Sequence, residues 1–248
     1  MHVVRGSVSD ANHDRNVTRE LIDVVESTEE PVVRVWTPPK QIAFGRRDTT
    51  ADGYDRARQI AIEGGYEPIE REVGGSAVAY TGETIAFAYG VPTESERGNI
   101  DDRYRNAETL LLQALGQAGA AVEKGEPDAS FCPGDHSVQG DGKIAGIAQR
   151  VRRESALVGG YVIVTEADER AVSEVLDPIY AALEMPFDPQ SVGCVERVGG
   201  PKDADSVVSA IEKAFLGGEP TTVLSASELL ATEATPESVG ASTDENPY

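Results

Sequence analysis

Within the stretch FCPGDHSVQGDGKIAGIAQR, from Phe131 to Arg150, Cys132 stands a few residues ahead of a glycine-flanked turn that delivers Lys143 into an apolar strand. The chain has only five lysines and two cysteines, so one of each meeting here needs a chemical account. A thiolate can carry an acyl group as a thioester, and an ammonium can hold the carbonyl end of that group, which points to acyl transfer. Pro133 and Gly134 place Cys132 on a bent loop, where positive charge from Lys143 would favour the reactive thiolate. His136 is an alternative source of that charge, or a base. The competing reading of Cys132 is a small buried hydrophobe, the commonest fate of a free thiol.

Two further segments carry chemical potential. In REVGGSAV, Gly74 and Gly75 let the backbone approach a ligand closely, while Arg71 can pair with a carboxylate or phosphate. A glycine pair before a strand is otherwise a tight turn. In GDGKIAGIAQR, Gly140 and Gly142 suit a short hairpin and Gly146 leaves room above the strand for a ligand or another backbone. A surface turn with a solvated lysine is the plainer alternative there.

The elements that must position these residues alternate between helices and strands. Helical spacing covers Thr18 to Val25, Tyr54 to Ile62, Asp101 to Ala118, Ala171 to Leu183 and Val207 to Leu216. Strand-like runs cover Pro31 to Trp36, Ser76 to Tyr80, Thr84 to Val91, Val138-Gln139, Ile144 to Val151 and Ala156 to Val164. The runs on either side of Thr81-Gly82-Glu83 read as a hairpin. This order predicts an α+β domain with a mostly antiparallel mixed sheet flanked by helices, and no strand leads into a dinucleotide-binding GxGxxG. Residues 1–218 form the expected domain. From residue 219 to residue 248 there is no Lys or Arg; apart from a possible short helix near Ser225 to Thr232, this acidic segment reads as a disordered tail.

A net charge of -21 and a pI near 4.4 argue against nucleic acid and anionic membranes as partners. Acid spread along the chain with little lysine is halophile-like, matching a salty cytoplasm. The scattered histidines (His2, His13, His136) and two distant cysteines give no metal-ligand spacing, so no metal is expected. No signal peptide or membrane span is legible, which places the chain in the cytoplasm with free thiols, Cys194 being an inert core residue.

These segments, in this order, resemble the biotin/lipoate protein ligase superfamily over roughly residues 21–217. The likeness rests on PVVRVWTPPKQIAFGR, REVGGSAVAYTGETIAFAYG, DGKIAGIAQRVRRESALVGGYVIV and EVLDPIYAAL. It implies the class II ligase-like catalytic domain. Arg71, Gly74, Gly75, Ser76 and Ala77 would then wall a tunnel for a lipoyl or octanoyl chain, with Gly146 and Gln149 lining the strand and Lys143 on the acyl carbonyl. The CPG loop before GKxAGIxQR resembles the cysteine-dependent octanoyl/lipoyl amidotransferase branch, with Cys132 as nucleophile and no cofactor. Its partners would be lipoyl-domain proteins, namely glycine cleavage protein H and the E2 subunits of 2-oxoacid dehydrogenases. ATP-dependent lipoate–protein ligases, which use ATP and Mg2+ to form a lipoyl-adenylate, are the neighbouring possibility. Ser76 stands in place of their third glycine, Tyr80-Thr81 in place of their His-Asp pair, and Asp135-His136 near their Asn-Asp pair. A non-catalytic acyl- or biotin-binding module is the third alternative.

Overall fold

A computed structural model describes residues 1–71, 75–94 and 99–233. In chain order the first elements are β1 (His2–Arg5), α1 (Ala11–Thr28), β2 (Val32–Trp36), β3 (Gln41–Phe44), α2 (Tyr54–Glu63), β4 (Glu67–Glu70), β5 (Val78–Tyr80) and β6 (Ile85–Pro92). There follow α3 (Ile100–Gln117), β7 (Glu123–Lys124), β8 (Ser137–Gly140), β9 (Gly142–Val151), β10 (Ser155–Val162), α4 (Glu166–Ala182), α5 (Ala204–Leu216), β11 (Thr222–Ser225) and α6 (Ala226–Glu233). An eight-stranded sheet runs β11-β1-β2-β6-β10-β9-β8-β7, and a three-stranded sheet runs β4-β3-β5. From β2 to β7 every pairing in the large sheet is antiparallel; β1 pairs in parallel with both β2 and β11. The α+β architecture with a mainly antiparallel sheet is therefore the one the sequence predicts.

Period-two alternation divides the large sheet's faces. Val33 and Val35 of β2, with Ile85 and Phe87 of β6, pack under Leu111 and Leu115 of α3 and Val207, Ile211 and Phe215 of α5. Their neighbours Val32, Trp36, Ala86 and Ala88 face the other way, towards Val17, Leu21 and Val25 of α1. A third cluster joins the small sheet to α2 and α4 through Ile42, Phe44, Ala57, Val172, Leu176 and Ile179. Caps fix the helix starts: the Asp10 side chain accepts from the His13 N–H, and Thr165 accepts from the Asp168 N–H. Among the described residues no helix is long and apolar enough to cross a membrane.

Two expectations are corrected. The runs flanking Thr81-Gly82-Glu83 are not a hairpin: β5 pairs with β3 in the small sheet and β6 with β2 and β10 in the large one. The connection passes between the sheets because Thr81 and Thr84 donate their hydroxyls to Asp168 of α4, at 2.6 and 2.7 Å. The segment after residue 218 is not disordered throughout either. Residues Thr222–Ser225 extend the large sheet beside β1, and α6 packs on α1 with Ala226 buried. One parallel neighbour supplies backbone hydrogen bonds that composition does not register. The rest of that segment, from residue 234, lies outside the described residues.

Candidate active site

A cavity of about 350 Å³ lies against the large sheet on its α1 side, reaching the small sheet. Its floor is made of residues too small to fill it: Ala86 and Ala88 on β6, Ala148 on β9, Gly159 and Gly160 on β10. Ile22 of α1, Trp36 of β2, Ala43 of β3 and Ile69 of β4 add apolar walls. Such a slot offers an extended hydrocarbon a mainly apolar floor and walls, with Asp14, Arg15, Arg19, Gln41 and Arg150 adding polar groups around it. Arg71, Gly75, Cys132 and Tyr161 also line it.

Cys132 occupies the left-handed backbone region, with φ at 42°, which a non-glycine residue holds only when its surroundings impose it. They do. Its N–H donates to the Tyr180 hydroxyl at 2.6 Å, and that hydroxyl donates to the Ala77 carbonyl at 3.0 Å, tying the loop to α4 and to the entry of β5. Arg71 Nη2 lies 3.2 Å from the sulfur and 2.5 Å from the Ser76 carbonyl oxygen. Burial alone would push the thiol pKa up. The Arg71 charge, a backbone hydrogen bond from Ser76, the Arg71 hydrogen bond and the more distant Lys143 charge together hold it below the ordinary thiol value.

Lys143 is fully buried. Its ammonium donates to both Glu126 carboxylate oxygens at 2.8 Å, to the Phe131 carbonyl at 3.1 Å and to the Cys132 carbonyl at 2.9 Å. An ammonium has three N–H groups, and all are committed to the protein. The expected Lys143 charge does favour the thiolate, but the cation in hydrogen-bond contact with the sulfur is Arg71, and Lys143 grips the backbone of the cysteine loop. A buried ammonium cannot stay charged without such partners. Burial lowers the Lys143 pKa, and the Glu126 hydrogen bond and charge oppose it.

The other expected residues divide. Ser76 and Ala77 serve through their backbone, as above, and Gly75 borders the cavity in open space, with nothing within 4 Å of where a Cβ would stand. Gly74 lies outside the described residues. Gly146 lines the cavity, and the Tyr161 ring crosses close to it: a Cβ there would lie 2.9 Å from the Tyr161 hydroxyl. Gln149 borders the cavity but commits its side chain to α3, accepting from Arg103 at 3.0 Å and donating to the Ile100 carbonyl at 2.9 Å. His136 stacks on Tyr104 at 4.1 Å and meets Glu108 at 3.1 Å, so its partners are on α3 rather than at the sulfur. Cys194 is buried, with its pKa pushed up to about 12, chiefly by that burial. Glu126, Tyr161 and Tyr180 belong to the site but carry no local sequence signal. Among the described residues no three His, Cys, Asp or Glu side chains group as metal ligands do.

The fold defines a lipoate ligase-like α+β domain. It superposes on lipoate-protein ligase A bound with ATP with a TM-score of 0.73 at 17% identity, covering 94% of this chain and 92% of that one. The bi-partite lipoate protein ligase of Thermoplasma acidophilum gives 0.68 at 16% identity, covering 94% and 90%. At such identities the likeness is one of fold. Residues 11–216 match the lipoyl protein ligase A/B catalytic domain, and the protein belongs to that family. It is 31% identical over 134 residues to the octanoyl-GcvH:protein N-octanoyltransferase of Geobacillus kaustophilus, covering 54% of this chain and 47% of that protein. Identity is 29% over 151 residues to the lipoyl-GcvH:protein N-lipoyltransferase of Listeria monocytogenes, covering 60% and 53%. The chain thus spans about half the length of the curated relatives it matches.

Proposed function

We propose that the protein is an acyltransferase that moves an octanoyl or lipoyl group onto a lysine of lipoyl-domain proteins through a thioester on Cys132. The observation that carries this is the thiol at the wall of an apolar slot with the Arg71 guanidinium 3.2 Å from its sulfur. In the first half-reaction the thiolate adds to the acyl carbonyl carbon of an acylated lysine, and the carbonyl electron pair moves onto oxygen. Collapse breaks the C–N bond, and the proton that left the thiol ends on the departing nitrogen. In the second half-reaction the amine of the acceptor lysine displaces the sulfur. The names of the curated relatives make GcvH, the glycine cleavage H protein, the natural candidate donor; the acceptors in this proposal are the E2 subunits of 2-oxoacid dehydrogenases. The reaction needs no cofactor and belongs in a reducing cytoplasm, where the thiol stays free. Lys143 acts with Cys132 as the residue that fixes the nucleophile's loop.

The test incubates the full chain with octanoylated H protein and an unmodified lipoyl domain, following both by intact mass. The expected result is an acyl adduct on Cys132 and transfer that Cys132→Ser abolishes. Transfer at an unchanged rate by Cys132→Ser would defeat the covalent scheme. Acylation from free lipoate by Cys132→Ala, dependent on ATP and Mg2+, would establish a lipoate–protein ligase instead. Tight lipoate binding with neither adduct nor transfer would leave a non-catalytic acyl-binding module.

A further inference from the structure

The covalent scheme requires a hydrogen-bond donor for the acyl oxygen, which becomes an oxyanion when sulfur adds to the carbonyl. Lys143 has no N–H to spare, and the Tyr180 hydroxyl already donates to the Ala77 carbonyl. Tyr161 of β10 is different. Its side chain is 4% exposed, and its hydroxyl has no hydrogen-bond partner among the described residues. A buried hydroxyl left unmatched costs roughly 1–3 kcal/mol, so folded proteins keep few of them without a purpose.

Its position is fixed by the sheet. Tyr161 pairs opposite Gly146 on β9, and the missing Cβ of that glycine admits the phenol ring across the strand. The ring also packs on Phe131, with centroids 5.3 Å apart, and Phe131 immediately precedes Cys132. Tyr161 lines the same cavity as Cys132. After burial, the charge of Cys132 is the next influence on its titration, so the hydroxyl stands within the field of the sulfur.

Resting on the proposed acyl-cysteine, we infer that the Tyr161 hydroxyl is the oxyanion donor of this site, giving its hydrogen bond to the carbonyl oxygen of the acyl group on Cys132. Its O–H is set before substrate arrives, which is what lets such a donor favour the tetrahedral state over the ground state. Arg71 Nε–H and the Ser76 hydroxyl are also unmatched nearby, but the Arg71 guanidinium is already turned to the sulfur and to Ser76, and Ser76, unlike Tyr161, does not line the cavity.

The test uses the N-acetylcysteamine thioester of octanoate, labelled with carbon-13 at the carbonyl, and the Tyr161→Phe variant, which keeps the ring over Gly146. Quenched-flow mass spectrometry reads acylation of Cys132, and infrared difference spectra read the labelled carbonyl of the acyl-enzyme. The expected result is acylation slower by about 10²–10³-fold, the loss typical of one such donor. The carbonyl band should move to higher wavenumber, with a raised unfolding midpoint, because the unmatched hydroxyl no longer has to be buried, and an unchanged pH midpoint for thiol alkylation. Site-specific 3-fluorotyrosine, a stronger donor of the same shape, should move the band the opposite way, and this holds even if Tyr161→Phe folds poorly. Equal acylation rates with an unmoved band would overturn the assignment. A raised alkylation midpoint in Tyr161→Phe would overturn it too, because the hydroxyl would then serve the thiolate. If the unaltered protein forms no adduct on Cys132 at all, the acyl-cysteine reading itself falls, an outcome separate from failure of the tyrosine alone.

Discussion

Arg71 Nη2 stands 3.2 Å from Cys132 Sγ, although 61 positions separate the two residues in sequence. The same nitrogen holds the Ser76 carbonyl, so one guanidinium aligns the Ser76 backbone and the thiol together. A lysine offers a point charge without that fork.

The first prediction concerns titration. Burial raises the Cys132 pKa, but Arg71, Ser76 and Lys143 together outweigh it, so the folded value lies below the ordinary thiol value. Iodoacetamide alkylation of the native protein should therefore reach half its plateau below that pH, on Cys132 alone, with Cys194 unlabelled. Arg71→Met should move the midpoint above the wild-type value, and Arg71→Lys should restore only part of the difference. The sign for stability follows: a depressed acid pKa stabilises the fold above the unfolded thiol pKa, and that contribution is lost as pH falls through the folded pKa. An alkylation midpoint unmoved in Arg71→Met would refute the assignment.

The second concerns the buried pair. Glu126→Gln leaves the Lys143 ammonium with carbonyls but no countercharge. Breaking a fully buried pair costs roughly 3–5 kcal/mol, but the Glu126 side chain is 25% exposed, so about 2 kcal/mol is expected from urea unfolding. Lys143→Met should cost more, because it also releases the Phe131 and Cys132 carbonyls. A neutral result for both variants would mean that the pair does not hold the loop.

The third sets two glycines against each other. Gly142 has φ at 100°, and an added Cβ would meet the Val192 carbonyl oxygen at 2.6 Å, so Gly142→Ala should destabilise by about 3 kcal/mol. Gly75 has open space where its Cβ would be, and Gly75→Ala should leave the urea midpoint unchanged. Acyl transfer by Gly75→Ala is then a clean reading of whether substrate approaches that backbone.

The fourth concerns the C-terminal strand and helix. A chain ending at Gly218 loses Leu224, Leu229 and Leu230 from the cluster around Val4, Val17 and Leu21, and it bares the edge of β1. A loss of about 3 kcal/mol from this partly buried apolar surface is expected, with aggregation on heating. Equal melting temperatures for the two lengths would make the added strand dispensable.

Legibility from sequence followed locality. The β8–β9 hairpin was readable because glycines at 140 and 142 bracket one residue and a strand pattern follows. β3 and β4 were not, since QIAF lacks alternation and EPIE carries a proline and two acids; each is made a strand by its neighbours. The cysteine and lysine were picked out by type and scarcity. Arg71 is legible beside its glycine pair, though its contact with the sulfur is not, and Glu126 and Tyr180 are not legible at all, because they reach the pair across turns and helices that no periodicity encodes. Gly146 is legible as a place of close approach, but the group that comes closest, the Tyr161 ring on the next strand, is not.

The slot is bounded by two sheets that share no ladder, and the chain passing from one to the other is clasped by Thr81 and Thr84 on Asp168, at the first turn of α4. Those three residues line no part of the slot, yet they help hold the sheets that bound it. Under the proposed acyl transfer, selection for longer or shorter fatty tails can act on that distant buckle, leaving every wall residue as it was.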